Sequence, residues 1–591
     1  MSHLEDGWLK THQVLKGEDM VIRSLQTRPS QLLYLIRQLN LECLLHRMLK
    51  KGQLLKDTFR VEEPKCDGKR PICSQCDRAG RAEDCEYTVG QERSTVQILE
   101  ENISRLEARI QELQNPAPPA SSAIELHQPY GVSSSDFNGI GSNSRYLLQD
   151  LPAHLAEALI NNFMPHAGQI GFFLNLPRFQ ASLLNGQAPG RMTRPSCALA
   201  AATYLWAIRL SNDRSVKAHE HTYLTRATQQ AATALSGQHP DRVMQSIQAE
   251  VLLATYFFAN GRFFEGKYHV TTAVSMVFSA GLHKIRSSAP QQQSVTGSST
   301  RLPEPKDSIE EGERIMALWT VLDLDKHWAI ALEHTPNFEY STHPLATKVD
   351  TPWPLEMDEF EQDRLPSYAI TSNTIYNFLN SITTPDLGIS LRAIESKTAI
   401  LWERVAVFTR KCNARTSQQS LQPLVEEFTG LSNLLDSVLG LLPSLDPQSI
   451  GRIQSVEMAR RYGVVYSILC SAFIRLHAPF AFSGRSESSL RKRLSMARTI
   501  LELAIGLRGR GVGYLNPIIG TVWIEASQVV FDEVSRIRSM RTSGTLLPGG
   551  PDERVMLGLV NRATQAMAGF TMNIPLTSFQ VAKIQETSQL N

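Results

Sequence analysis

The sequence predicts an all-α protein in three parts: a small, incomplete four-cysteine metal module, a short coiled coil, and a large multi-helix domain. Three observations carry this. From about residue 149 onward, apolar residues recur at helical spacing in segment after segment, with few alternating strand-like runs. Val96, Leu99, Ile103, Leu106, Ile110 and Leu113 step along the chain by 3, 4, 3, 4 and 3 residues. Cys66, Cys73, Cys76 and Cys85, half of the eight cysteines, fall within twenty residues as C-x6-C-x2-C-x8-C.

Composition bounds the rest. At 591 residues with 42% apolar content, the chain holds more than one domain and enough apolar surface for a large core. A net charge of +2 says little about partners, so any basic footprint must be local. With no run of eighteen apolar residues, no membrane span is expected. Met1-Ser2-His3-Leu4-Glu5-Asp6 lacks the basic-then-apolar order of a secretory signal, so an intracellular, soluble protein is expected.

Residues 1–64 form an atypical N-terminal segment. It contains one amphipathic stretch, 31–55, with Leu32, Leu33, Ile36, Leu39, Leu44, Leu45, Met48 and Leu49 at helical spacing, and no function attaches to it. Cys43, with His46 three residues on, reads as a core cysteine, as do Cys197, Cys412 and Cys470 in their apolar helical contexts. The cysteines of residues 65–88 are different. Tetrahedral zinc sites take thiolate ligands, and C-x2-C lets two sulfurs from one tight turn grip the same ion. A disulfide is the competing reading, but intracellular thiols stay reduced.

Cys66-DGKRPI-Cys73-SQ-Cys76-DRAGRAED-Cys85 resembles the second part of the fungal binuclear zinc-cluster DNA-binding domain, in which six cysteines hold two zinc ions. Cys66, Cys73, Cys76 and Cys85 match that family's third to sixth cysteines, and Pro71 fits its loop. The resemblance implies zinc on these four thiolates and DNA contacts from Lys65, Lys69 and Arg70. It also implies DNA partners with CGG-type half-sites. The chain departs from the pattern where the first two cysteines belong, since Lys56 and Phe59 stand there. Counting the family's bridging ligands, one zinc keeps Cys73, Cys76 and Cys85 and the other Cys66 and Cys73, each short of four. Charge departs as well. Between Arg60 and Arg93 there are seven basic and eight acidic residues, whereas phosphate neutralisation needs a basic excess. Two explanations compete: a wrong exon choice at the recorded N-terminus, or a chain that has lost DNA binding. Family-like residues begin abruptly at Lys65, which favours the first.

Residues 94–114 follow as a dimerisation helix. Its a positions (Val96, Ile103, Ile110) are β-branched and its d positions (Leu99, Leu106, Leu113) are leucine, a combination that favours parallel two-stranded coiled coils. The seam is shorter than three heptads, so an ordinary packing helix is the alternative. Its place directly after the cysteines is where the family puts its dimer helix, which implies a homodimer meeting paired half-sites. Residues 115–148, rich in Pro, Ser and Gly, read as a flexible linker.

The large domain spans 149–545, and 546–591 is a C-terminal segment. Helices are expected at 151–164, 196–210, 219–235, 243–260, 266–280, 311–333, 397–410, 421–442, 453–476, 489–506 and 516–539, with a disordered loop at 286–307. Ile315, Met316, Trp319 and Leu322 share one apolar face. Pro352 and Pro354 fix an extended exit after Val349-Asp350-Thr351. This segment resembles the fungal-specific transcription factor (middle homology) domain, which implies a regulatory body, a small-molecule effector held between helices, and a nuclear location.

No catalytic constellation stands out. Asp323-Leu324-Asp325 is too sparse for the aspartate-rich motif of a terpene-synthase-like fold and reads as helix surface and cap. Asn212 to Glu220 approaches the N-D-x-x-S-x-x-x-E metal motif, but Ser215 is one residue early and turned about 100° off the shared face. His219 and His221 lack zincin spacing, and His327 and His334 read as surface or core histidines. The expectation is a non-enzymatic, sequence-specific DNA-binding regulator of RNA polymerase II transcription, controlling a metabolic or secondary-metabolite gene set. The alternative is a truncated regulator that does not bind DNA and acts by dimerising with an intact relative.

Overall fold

A computed structural model of the chain describes residues 67–78, 104, 153–184, 194–237, 239–288, 302–338, 348–366, 370–414, 422–443, 453, 455–481, 486–544, 552–570 and 574–590. The chain divides into two units, Met1–Gly131 and Val132–Asn591. The first is described at the cysteine turn and at Ser104. The coil seam, the 115–148 linker and most of the 286–307 loop lie outside the described residues.

The second unit is all helical, as expected; its one isolated bridge among the described residues pairs Ser287 with Thr371. Its helices of nine or more residues are α1 (Ala153–Phe163), α2 (Leu176–Leu184), α3 (Cys197–Leu210), α4 (Glu220–Thr233), α5 (Arg242–Ala259), α6 (Phe263–Ser279), α7 (Ser308–Ala331), α8 (Leu391–Asn413), α9 (Gln422–Gly440), α10 (Val456–Ala481), α11 (Glu487–Arg508), α12 (Ile518–Thr542), α13 (Glu553–Ala568) and α14 (Pro575–Leu590). Side-chain caps set several starts. Ser196, Asp307, Ser390, Ser486 and Asp552 each accept a first-turn amide, satisfying a donor the helix itself cannot.

Two apolar clusters form the core, and α5 serves both. One of its faces puts Leu252, Leu253 and Phe257 against α3 and α4, while Ile247, Val251 and Phe258 face α6 and α7. Such a helix must be apolar nearly all round, and α3 and α5 are. By length and composition α10 could cross a membrane, but it packs between α8 and α11 and carries Arg460 and Arg461. Helices α13 and α14, in the C-terminal segment, bury Leu559, Val560, Met567, Val581 and Ile584 against α11 and α12.

The middle of the domain is pinned by the extended segment after α7. Trp319 lies flat on Trp353, with ring centres 4.6 Å apart, and its indole N–H donates to the Pro352 carbonyl at 2.8 Å. Asp350 accepts from Lys284 at 2.9 Å and from the Asn373 amide at 2.8 Å, with Ser287 as a third donor. Gly388 (φ +55°) lies so close to Trp353 that a Cβ would sit 2.5 Å from the indole.

At the start of α2, the Asn175 amide donates to Glu313 of α7 at 2.8 Å. Burial lifts the Glu313 carboxyl to about 7, with that amide pulling the other way. Folding therefore favours the protonated acid, and the native state loses stability as pH rises from about 4.5 to 7. Gln in its place keeps the acceptor without the charge. Glu313→Gln should match wild type near pH 5 and exceed it by about 2–3 kcal/mol near pH 8, measured by urea unfolding at both values.

Candidate functional site

The described part of the cysteine module runs from Asp67 to Arg78. Gly68, at φ +66°, allows the chain to double back, and Asp67 accepts the Ser74 amide at 3.0 Å. The hydroxyl and amide of Ser74 hold the Asp67 carboxyl below its ordinary value. That contact sets Cys73 at the mouth of the five-residue helix Ser74–Arg78, with the Asp77 amide on the Cys73 carbonyl at 3.1 Å. Cys73 is buried, and its Sγ accepts the Cys76 backbone N–H at 3.4 Å. Cys73 and Cys76 thus sit on one turn. Lys69 and Arg70 lie on the exposed side of the same loop. Cys66, Cys85, Lys65 and the dimerisation residues Val96, Leu99, Ile103, Leu106, Ile110 and Leu113 lie outside the described residues.

The helical unit contains a site that sequence reasoning missed. A cavity of about 100 Å³ lies between α5, α7, α8, α10 and the turn at 168–171. Gly171 shapes that turn. Its φ is +86°, and a Cβ would press to 2.9 Å from Val251.

One wall is an ion lattice. Arg461 of α10 forks across two carboxylates, Glu356 at 2.8 and 2.9 Å and Glu395 of α8 at 2.8 and 3.3 Å. Arg392 donates its amide to Glu356 at 3.0 Å and its guanidinium to Glu395 at 3.4 Å. Burial alone would raise the Glu356 carboxyl, but Arg461 holds it below its ordinary value.

The opposite wall is α7, which contributes Asp323 and His327, four residues apart, to the lining. Asp323 is not the surface residue the sequence suggests. Its Oδ2 accepts from Ser396 at 3.0 Å, while Oδ1 is sealed from solvent without a partner. Burial, reinforced by Glu395, pushes its carboxyl well above its ordinary value. His327 Nε2 is likewise sealed and unpartnered, and burial depresses the imidazole to about 4, so it is neutral at neutral pH. Asp325 is likewise no surface or helix-cap residue: it is buried, and its carboxylate accepts the Asn337 and Phe338 amides of the following loop at 3.0 and 2.8 Å.

The near-motif at 212–220 does not converge. Asp213 caps the short helix Arg214–Lys217, taking the Ser215 amide at 2.8 Å. Glu220 accepts from Arg209 at 2.8 Å and from the Tyr256 hydroxyl at 2.6 Å. Both carboxylates are consumed structurally, and no group of three metal-ligating side chains occurs among the described residues.

Residues 165–451 match the family model of the Fungal specific transcription factor domain, a family of non-enzymatic regulators. No curated protein matches the chain.

Arg461 generates a prediction. Arg461→Met leaves the half-buried Glu356 and Glu395 with Arg392 alone between them and should cost about 2–3 kcal/mol at pH 7. In wild type the depressed Glu356 contributes stability above its unfolded value of 4.5, lost as pH falls through the lower folded value. The difference between variant and wild type should therefore shrink toward pH 3, as read by denaturant unfolding across that range.

Proposed function

We propose that the chain, which carries a fungal transcription factor domain over residues 165–451, is a DNA-binding transcription regulator working in the nucleus. The observation that carries this reading is the pairing of that domain with the C-x2-C turn, where a backbone amide is directed at the Cys73 sulfur. Zinc held by Cys66, Cys73, Cys76 and Cys85 would cross-link a loop too small to hold its own core. On that loop Lys69 and Arg70 project from the outer side, suited to phosphate contacts, with Lys65 adjoining. The heptad seam at 96–113 would pair two protomers, so that two modules meet paired half-sites of CGG type. The controlled genes would be a metabolic or secondary-metabolite set transcribed by RNA polymerase II.

A second reading has its own support. Lys56 and Phe59 stand where two further cysteines are needed, and residues 60–93 carry no basic excess. A chain so built would dimerise through 96–113 with an intact relative and modulate it without touching DNA itself.

One experiment separates them. The purified chain and its Cys76→Ser variant are compared for zinc content and for binding to duplexes bearing CGG half-sites, across a salt series. DNA binding that weakens with salt and disappears together with zinc in Cys76→Ser supports the first reading. Zinc-free protein that ignores every duplex but forms dimers supports the second.

A further inference from the structure

We propose that α6 pairs antiparallel with α6 of a second copy of this chain, seating Phe264 and Tyr268 on the partner's Ser279 and Ser275. Helix α6 packs on α5 and α7, with Val270, Ala273 and Val277 buried. Its outer face is a single stripe. Phe264, Tyr268, Thr271, Ser275 and Ser279 are all exposed and, at about 100° per residue, lie within about 80° of one another. Phe264 is 91% exposed and Tyr268 64%, the former the most exposed large apolar residue among those described. A single exposed apolar side chain is ordinary, but two aromatic rings one turn apart on an uncharged face mark a contact surface. No ionised side chain lies on the stripe: Glu265 pairs with Arg262 at 2.8 Å on one flank, and Lys267 lies on the other. Thr271 adds little polar demand, since its hydroxyl already donates to the Lys267 carbonyl at 2.9 Å and to Asn337 at 3.2 Å.

The order of sizes names the occupant. The rings fill the N-terminal half of the stripe, and small hydroxyl residues fill the C-terminal half. Positions 264 and 279, like 268 and 275, are symmetric about the point between 271 and 272. A two-fold axis there sets each ring over a serine of the other copy, and every contact occurs twice. Parallel pairing would crowd ring on ring at one end and leave a gap between serines at the other. A charged partner finds no ion on the stripe to pair with. Four aromatic rings, about 150–250 Å² each when covered, bury on the order of 600 Å², half the ~1,200 Å² of a small stable interface. The contact is therefore weak alone, and it strengthens in copies already joined elsewhere, as proposed for 96–113.

This pairing does not depend on the DNA-binding reading, so the test uses the full-length chain without DNA. Thr271→Cys puts a thiol beside the two-fold axis, within reach of a short bis-maleimide when helix axes are about 8–10 Å apart. A peptide joined from residue 271 to residue 271 arises only between copies, and mass spectrometry separates it from products of the native cysteines. Thr429→Cys, on an exposed face of α9, controls for chance encounters and for joining through any other segment. The 271–271 yield should exceed the 429–429 yield by at least about tenfold, the effect of held proximity. Adding Phe264→Ser and Tyr268→Ser should lower it at least about fivefold. Every substituted side chain is exposed, and circular-dichroism melts check folding; if the ring-free variant fails, Phe264→Ser alone is read. A 271–271 yield at the control level overturns the proposal and leaves the stripe to a partner of another kind. A yield that survives removal of the rings overturns it as well.

Discussion

Arg461 is the residue on which the helical unit turns. Its guanidinium is buried, yet it stays charged because two carboxylates, Glu356 and Glu395, outweigh the loss of water. Those acids come from different places, one from the extended segment after α7 and one from the first turns of α8. Arg461 itself belongs to α10. A bidentate fork accepts little angular error, so the lattice fixes three elements in a relative orientation that apolar packing alone would leave looser. Buried ion pairs seldom win on energy against well-packed apolar residues, and geometric registry is their best-attested use.

That registry has a consequence for where the domain ends. The family match stops at residue 451, but Arg461, Val464, Val465 and Ile468 all lie beyond it and line the cavity. Helix α8 packs on α10, α10 on α11, and α11 on both α12 and α13. The matched region therefore does not close its own core. The helices after it complete the same apolar cluster, so a fragment cut at 451 would expose the inner faces of α7, α8 and α9.

Much of this was legible in the sequence, and the failures have physical causes. The apolar face through Ile315, Met316, Trp319 and Leu322 announces α7, and Asp307 explains why that helix starts at Ser308, three residues before the expected 311. Helix α8 also starts early, at Leu391 instead of 397, because Ser390 caps it there. Pro177 masked α2, although proline in a first turn costs a helix nothing. Helix α13 follows Pro548-Gly549-Gly550-Pro551, a break that drew the chain after it to be read as a tail, even though Met556, Leu559, Val560, Ala563 and Met567 keep helical spacing. The cavity was the hardest to foresee. Asp323 and His327 have helical spacing, but their meaning depends on Glu395 and Arg461, 72 and 138 residues after Asp323. No local pattern records that an acid is sealed.

The two halves of the chain solve different problems with different means. Around Cys73 a short turn is held by local bonds, the Ser74 amide on Asp67 and the Cys76 amide on Cys73 Sγ. The helical unit has surface to spare and spends part of it on a polar interior that an apolar core of equal volume would not need. Asp323 Oδ1 and His327 Nε2 are sealed without a hydrogen-bond partner, a desolvation cost that the Ser396 hydroxyl on Asp323 Oδ2 offsets only in part.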